Sequence, residues 1–156
     1  MFRNMKRANR KLPDETTLEL LINGEYGVLS TVGSDGYPYS TPLNYVYWNN
    51  AIYIHSTTDG HKLDNIIFNP KVSFAVVAYE KVLPVKFSMA YKSIVIFGQA
   101  SLLVQEELKK NILVSFLNKY SINYKSKGME YLDMAIAKST VIEISIEHIS
   151  GRGRTE

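Results

Sequence analysis

Residues 51–77, AIYIHSTTDGHKLDNIIFNPKVSFAVV, place the strongest constraint on what this chain can fold into. A β-branched and aromatic run ends at His55-Ser56, and a polar loop follows to Gly60. Leu63, Ile66 and Ile67 then recur at i, i+3, i+4 before Pro70 stops further helix. The order is strand, loop, short helix, strand, with one apolar helix face for the core. The first backbone N–H groups of a helix lack intrahelical partners, and the peptide dipoles add about half a positive charge there. An anion at this loop can therefore be held by Ser56, Thr57, Gly60 and Lys62. Read alone, ordinary helix capping is the plainer account of such a loop.

The rest of the chain predicts strands flanked by helices. A helix is expected over 14–23, capped by Asp14, with Leu18, Leu21 and Ile22 as its apolar stripe and Gly24 in the left-handed position that ends many helices. Residues 26–32 and 37–47 read as a hairpin across Gly33-Ser34-Asp35-Gly36. Asn49-Asn50 turns the chain into AIYIHS, so that three antiparallel strands succeed one another. After the short helix, 71–80 is a fourth strand, Pro84 makes 81–86 a loop or edge segment, and 87–104 is a long strand or pair of strands bending at Gly98. Leu108, Ile112, Leu113, Phe116 and Leu117 define a helix over 105–120, a shorter helix covers 129–137, and 139–150 alternates as a half-buried strand. The fold class is mainly β with flanking helices, an α+β antiparallel barrel. One domain is expected over 1–156, with 1–12 as a flexible basic tail.

Composition excludes several function classes. With no cysteine there is no disulfide, thiolate metal site or thiol nucleophile. The net charge of +3 sits largely in RNMKRANRK and GRGR, clusters too short and too poor in aromatics to predict nucleic-acid binding. No run reaches the roughly 18 apolar residues of a membrane span, and the opening has no signal-peptide core, so a soluble cytoplasmic protein is expected. His55 and His61 are six apart across a loop, with no third histidine nearby and only Asp59 or Asp64 as further ligands, and no metal is expected. The strand tyrosines read as packing residues, with Tyr91 and Trp48 as the only candidates for ligand contact. No P-loop and no Ser-His-Asp order is present.

A helix, the segment DGYPYSTPLNYVY, the strand end YIHSTTDGHKLDNIIFNPKVSF and the later strand AYKSIVIFGQA together resemble the FMN-binding split-barrel proteins of the pyridoxamine 5′-phosphate oxidase-like superfamily, over nearly the whole chain. Within it the chain is most similar to the nitroimidazole-resistance (Nim-type) branch. The resemblance implies a homodimer with FMN in each intersubunit cleft. It assigns isoalloxazine and ribityl contacts to Thr41, Pro42, Leu43 and Asn44, and the ribityl phosphate to His55, Ser56, His61 and Lys62. Ser93 would reach the flavin from the partner subunit. An edge strand broken by Pro42 is also reasonable chemistry for the flavin pyrimidine ring, which needs backbone partners.

Departures from the oxidase pattern bear on function. Thr41 and His61 stand where an oxidase acting on pyridoxamine phosphate has arginines, and its C-terminal substrate segment is not recognisable around Arg152 and Arg154, so vitamin B6 oxidation is not expected. The resemblance implies an FMN-dependent oxidoreductase that takes electrons from NAD(P)H or another donor and reduces a small electrophile such as a nitroaromatic compound, with no catalytic residue assigned. The alternative is a non-catalytic protein that binds or stores flavin, heme or a deazaflavin.

Overall fold

The computed structural model describes residues 2–155. The strands are β1 (Tyr26–Val32), β2 (Pro38–Asn44), β3 (Val46–Trp48), β4 (Ala51–Ser56), β5 (Lys71–Leu83), β6 (Ser88–Leu102) and β7 (Thr140–Arg154). The helices are α1 (Asp14–Asn23), α2 (His61–Phe68), α3 (Glu106–Tyr120) and α4 (Lys125–Ala135). The seven strands form one antiparallel sheet in the order β2-β1-β5-β6-β7-β4-β3.

That order closes the barrel. The two edge strands, β2 and β3, follow each other in sequence and are separated only by Tyr45, so the two edges of the sheet must meet there. Tyr45 is fully buried, its hydroxyl donates to the Leu21 carbonyl at 2.5 Å, and its ring lies edge-on to Phe74 with centroids 5.1 Å apart. Outside the crossing, Tyr120 Oη lies 2.7 Å from the carbonyl oxygens of both Glu25 and Tyr45, and Lys119 Nζ donates to the Tyr45 carbonyl at 3.0 Å. Here the structure corrects the reading of 37–47 as one strand, while the antiparallel pairings expected on either side of it, β1 with β2 and β3 with β4, are present. Residue 45 turns the chain across to the other edge, and β4 pairs with β7 rather than β2.

Alternation along the strands sends Leu29, Phe74, Val76, Ile94, Ile96, Ile142 and Ile144 into the barrel, where α1 adds Leu21 and α2 adds Leu63 and Ile66. Burying Leu63 and Ile66 contributes ~1.5–3 kcal/mol each. Ile67, expected on the same face, is 71% exposed, because the eight-residue helix is too short to bury more than a narrow stripe. On the other face of β3 and β4, α3 and α4 pack Ile112, Leu113, Phe116 and Leu132 against Val46, Ala51, Tyr53 and Val141.

Several turns follow the sequence closely. Asn49 and Asn50 take φ of 49° and 58°, as a tight two-residue hairpin turn requires, and the register of β6 with β7 shifts between Phe97 and Gly98. Gly24 is a correction: it is extended (φ −63°, ψ 137°), not left-handed. Its reason is space, since a Cβ there would lie 2.5 Å from Tyr45 Oη and 2.9 Å from Val76 Cγ1. The helix predicted over 129–137 runs over Lys125–Ala135, β5 continues to Leu83 before a short turn at Pro84–Lys86, and Pro13 rather than Asp14 precedes the first turn of α1.

Candidate functional site

Two strand segments and one helix start converge at one end of the barrel. The ring of Tyr39 on β2 lies 4.2 Å from the ring of His61, the first residue of α2. Asn65 on the same helix donates to Thr31 Oγ1 at 3.0 Å, fastening α2 to β1. Thr41 lies two residues beyond Tyr39 and so shares its face of β2.

The loop from β4 to α2 is shaped by its own hydrogen bonds and one glycine. Thr57 Oγ1 donates to the Asp59 carbonyl at 2.8 Å, and Gly60 takes φ 129°, a conformation that favours glycine. The Gly60 carbonyl accepts from Leu63 N–H (2.8 Å) and Asp64 N–H (3.2 Å), while no side chain caps the helix. The N–H groups of His61 and Lys62 lie in the first turn, where a helix has no internal acceptors for them.

Among the described residues, two buried side-chain oxygens have no hydrogen-bond partner: Thr41 Oγ1 and Ser56 Oγ. An unpartnered buried hydroxyl costs ~1–3 kcal/mol, and Ser56 carries one on the strand that leads into α2, where a hydrogen-bond acceptor would satisfy it. A cleft of about 580 Å³ opens beside it, lined by His55, Ser56, Thr57, Lys62, Tyr131, Met134, Lys138 and Ser139. The lysines Lys62 and Lys138 give it positive charge. These donors fit a phosphate ester.

His55 closes the cleft on the α3 side. Its ring lies edge-on to Phe116 with centroids 4.7 Å apart, and the water lost on that side lowers its pKa from the ordinary 6.5. A neutral His55 is a donor or acceptor there, not a fixed charge. Among the described residues no group of three His, Cys, Asp or Glu side chains could hold a metal ion.

The other candidate residues fall into two groups. Pro42 sits on an edge strand, where its missing N–H costs no ladder bond; Leu43 packs on the core, and Asn44 Nδ2 donates to the Glu25 carbonyl at 2.9 Å. Ser93 is elsewhere. It lies on the outer face of β6, between Val77 and Arg152 in register, on a different side of the sheet from the buried Ile94 and Ile96. One protomer therefore does not bring Ser93 to Ser56. Of the ligand-contact candidates, Trp48 packs 6.3 Å from Tyr53, and Tyr91 is paired with Arg154. Tyr131 and Met134 on α4, and Lys138 in the short turn that follows it, were not legible as residues of the cleft, because nothing in their spacing says which strand end the helix will cover.

The fold recurs in solved structures. A conserved hypothetical protein, Rv2991, from Mycobacterium tuberculosis superposes with a TM-score of 0.83 at 19% identity, covering 96% of this chain and 90% of that one. A candidate 5-nitroimidazole antibiotic resistance protein from Bacteroides thetaiotaomicron gives 0.77 at 19% identity, covering 90% and 84%. An FAD-binding protein from Mesorhizobium loti gives 0.68 at 25% identity, covering 94% and 98%. No curated protein matches the chain. A family model described as pyridoxamine 5′-phosphate oxidase matches residues 13–153, from α1 to the last strand and through both halves of the site; the chain belongs to that family.

Proposed function

We propose that the protein is an FMN-dependent oxidoreductase acting as a homodimer, and that the loop from β4 to α2 holds the FMN phosphate. The observation that carries this reading is the buried, unpartnered hydroxyl of Ser56 in the cleft at the start of α2, with a second such hydroxyl at Thr41 on β2. Ser56, Thr57, His55, Lys62 and the N–H groups following Gly60 bind the phosphate, and Thr41 reaches it from β2. His61, stacked against Tyr39, holds the two segments together. Pro42, Leu43 and Asn44 present the strand edge to the ring system.

The homodimer reading is supported by the outer face of β1, β5 and β6. Val28, Ser30, Ser73, Ala75, Ser93 and Val95 make it flat, and all are only partly buried. A second copy on this face would bring its Ser93 toward the cleft. Bound FMN supplies hydride and electron transfer, while the chain orients it and leaves one ring face open.

The substrate reading is a small nitroaromatic acceptor, with NADPH or NADH as donor. It rests on the likeness to the Bacteroides protein, which is at fold level, since fold does not set substrate. Anaerobic addition of NADPH to the FMN-loaded protein should bleach the flavin bands, and a nitroimidazole should restore them. Flavin that NADPH and NADH both leave oxidised would refute the oxidoreductase reading.

A further inference from the structure

Lys119, the next-to-last residue of α3, is half-buried where the two edges of the sheet meet, outside the proposed FMN site. Its Nζ donates to the Tyr45 carbonyl at 3.0 Å and lies over two aromatic faces, 4.1 Å from the ring centroid of Tyr45 and 5.2 Å from that of Tyr120. A cavity of about 450 Å³ opens on it, lined by Ile22, Asn23, Glu25, Lys119 and Tyr120. None of these residues lines the cleft at Ser56, and none belongs to β1, β5 or β6, the strands whose outer face is given to a second copy.

This setting leaves the ammonium poor in both water and counter-charge. Among the described residues Lys119 has no ion pair. The titratable groups that face it are Glu25, which is exposed, and Tyr45 and Tyr120, whose hydroxyls burial pushes up so that both rings stay neutral. Lost water prevails over the attraction of Glu25 and brings the amine down from 10.5 to about 8. At about pH 7.5, about a quarter of such an amine is free base, against about one in a thousand for an ordinary lysine. Nucleophilicity falls with basicity, by about half a logarithmic unit per pKa unit on the scale that thiolates follow, so roughly a tenfold advantage in rate remains.

The surroundings select the electrophile. Acylation would leave a neutral amide, and the Tyr45 carbonyl and the two ring faces would lose the cation they hold. Condensation with an aldehyde leaves an iminium, which keeps the positive charge over the rings and one N–H for the carbonyl. We propose that Lys119 is a covalent site for a small aldehyde, whose chain occupies the cavity beside Ile22, Asn23 and Glu25. The Nζ lone pair adds to the carbonyl carbon, and one amine proton passes to the oxygen to give a carbinolamine. The hydroxyl takes a second proton from solvent and leaves as water while the nitrogen lone pair forms the C=N bond. Nothing is oxidised or reduced, and no further reactant is needed.

The test treats the full chain with a limiting concentration of propanal and sodium cyanoborohydride, which reduces an iminium to a stable secondary amine, and maps the label by peptide mass spectrometry. At about pH 7.5, Lys119 should be labelled about tenfold faster than the exposed Lys86, Lys125 and Lys127. Its rate relative to theirs should be greatest below about pH 8 and should fall above it, where Lys119 is already free base and they are not. Lys119→Arg keeps the cation and lacks the nucleophile, so it should lose that one label and leave the other three unchanged. Label spread evenly over the four lysines, or a Lys119 rate that follows the exposed lysines across the pH range, would overturn the proposal. Both measurements on the unmodified sequence stand even if the variant fails to fold, and none of the readouts depends on flavin.

Discussion

The ring of Tyr39 rests 4.2 Å from the ring of His61, and through that contact an edge strand is fixed against the first turn of a helix from another part of the chain. Tyr39 and His61 come together although β3, β4 and the intervening turns separate them in the sequence. Loss of the Tyr39 ring should loosen this arrangement. In Tyr39→Ala, FMN affinity should fall while the melting temperature of the flavin-free protein drops by only a few degrees, since Tyr39 is only partly buried.

The two unpartnered hydroxyls make a prediction of opposite signs. Thr41→Val and Ser56→Ala remove polar atoms that have no partner in the flavin-free protein, so thermal stability without FMN should hold or rise. FMN affinity should fall by about tenfold or more in each, because a hydrogen bond to a charged phosphate is worth ~1.5–3 kcal/mol. Melting curves with and without FMN measure both effects. A fall in stability without FMN would mean that the hydroxyls serve the fold.

Lys62→Ala should weaken FMN binding chiefly at low ionic strength. Lys62 lines the cleft next to Ser56 and Thr57, and salt screens an exposed charge contact. Fluorescence titrations at two salt concentrations would show the difference between wild type and variant shrinking as salt rises.

His55 sets a pH dependence. Its folded pKa is depressed below 6.5 by burial against Phe116, so as pH falls through that value the unfolded chain takes up a proton before the folded one does. The stability linked to His55 is complete above pH 6.5 and is lost progressively below it. In His55→Gln the melting temperature should vary less between pH 7.5 and pH 5.5 than in wild type (pH values chosen to span about one unit either side of the ordinary histidine pKa).

Gly24 tests the closure of the barrel. Gly24→Ala places a methyl group against the Tyr45 hydroxyl and Val76, in the one place where the two sheet edges are joined. Overpacking of this kind costs ~1–3 kcal/mol, or roughly 2–10 °C in melting temperature for a chain of this size. An unchanged melting temperature would show that Tyr45 can move without loss.

Local chemistry was legible in the sequence, and long-range pairing much less so. Pro70, the Asn49-Asn50 turn and Gly98 each act within a few residues, and each marks a feature that the structure has. The crossing at Tyr45 leaves no such mark, because the strand propensity of 37–47 is continuous and only the pairing partners change. Gly24 was legible as a necessary glycine but not for its reason, which lies in a tyrosine and a valine from distant strands. The polar loop 55–62 was legible as a helix start, and α2 begins at His61. The cover supplied by Tyr131, Met134 and Lys138 depends on how α4 packs, which periodicity does not encode.

The most direct test of the FMN site compares FMN with riboflavin, which has the same ring system and no phosphate. Titrated into the flavin-free protein, FMN should quench its fluorescence at a stoichiometry of about one per protomer and bind at least about a hundredfold more tightly than riboflavin, the loss expected when several charge-assisted contacts are removed. Equal affinity for the two, or no binding of FMN, would contradict a phosphate site built from Thr41, Ser56 and the start of α2.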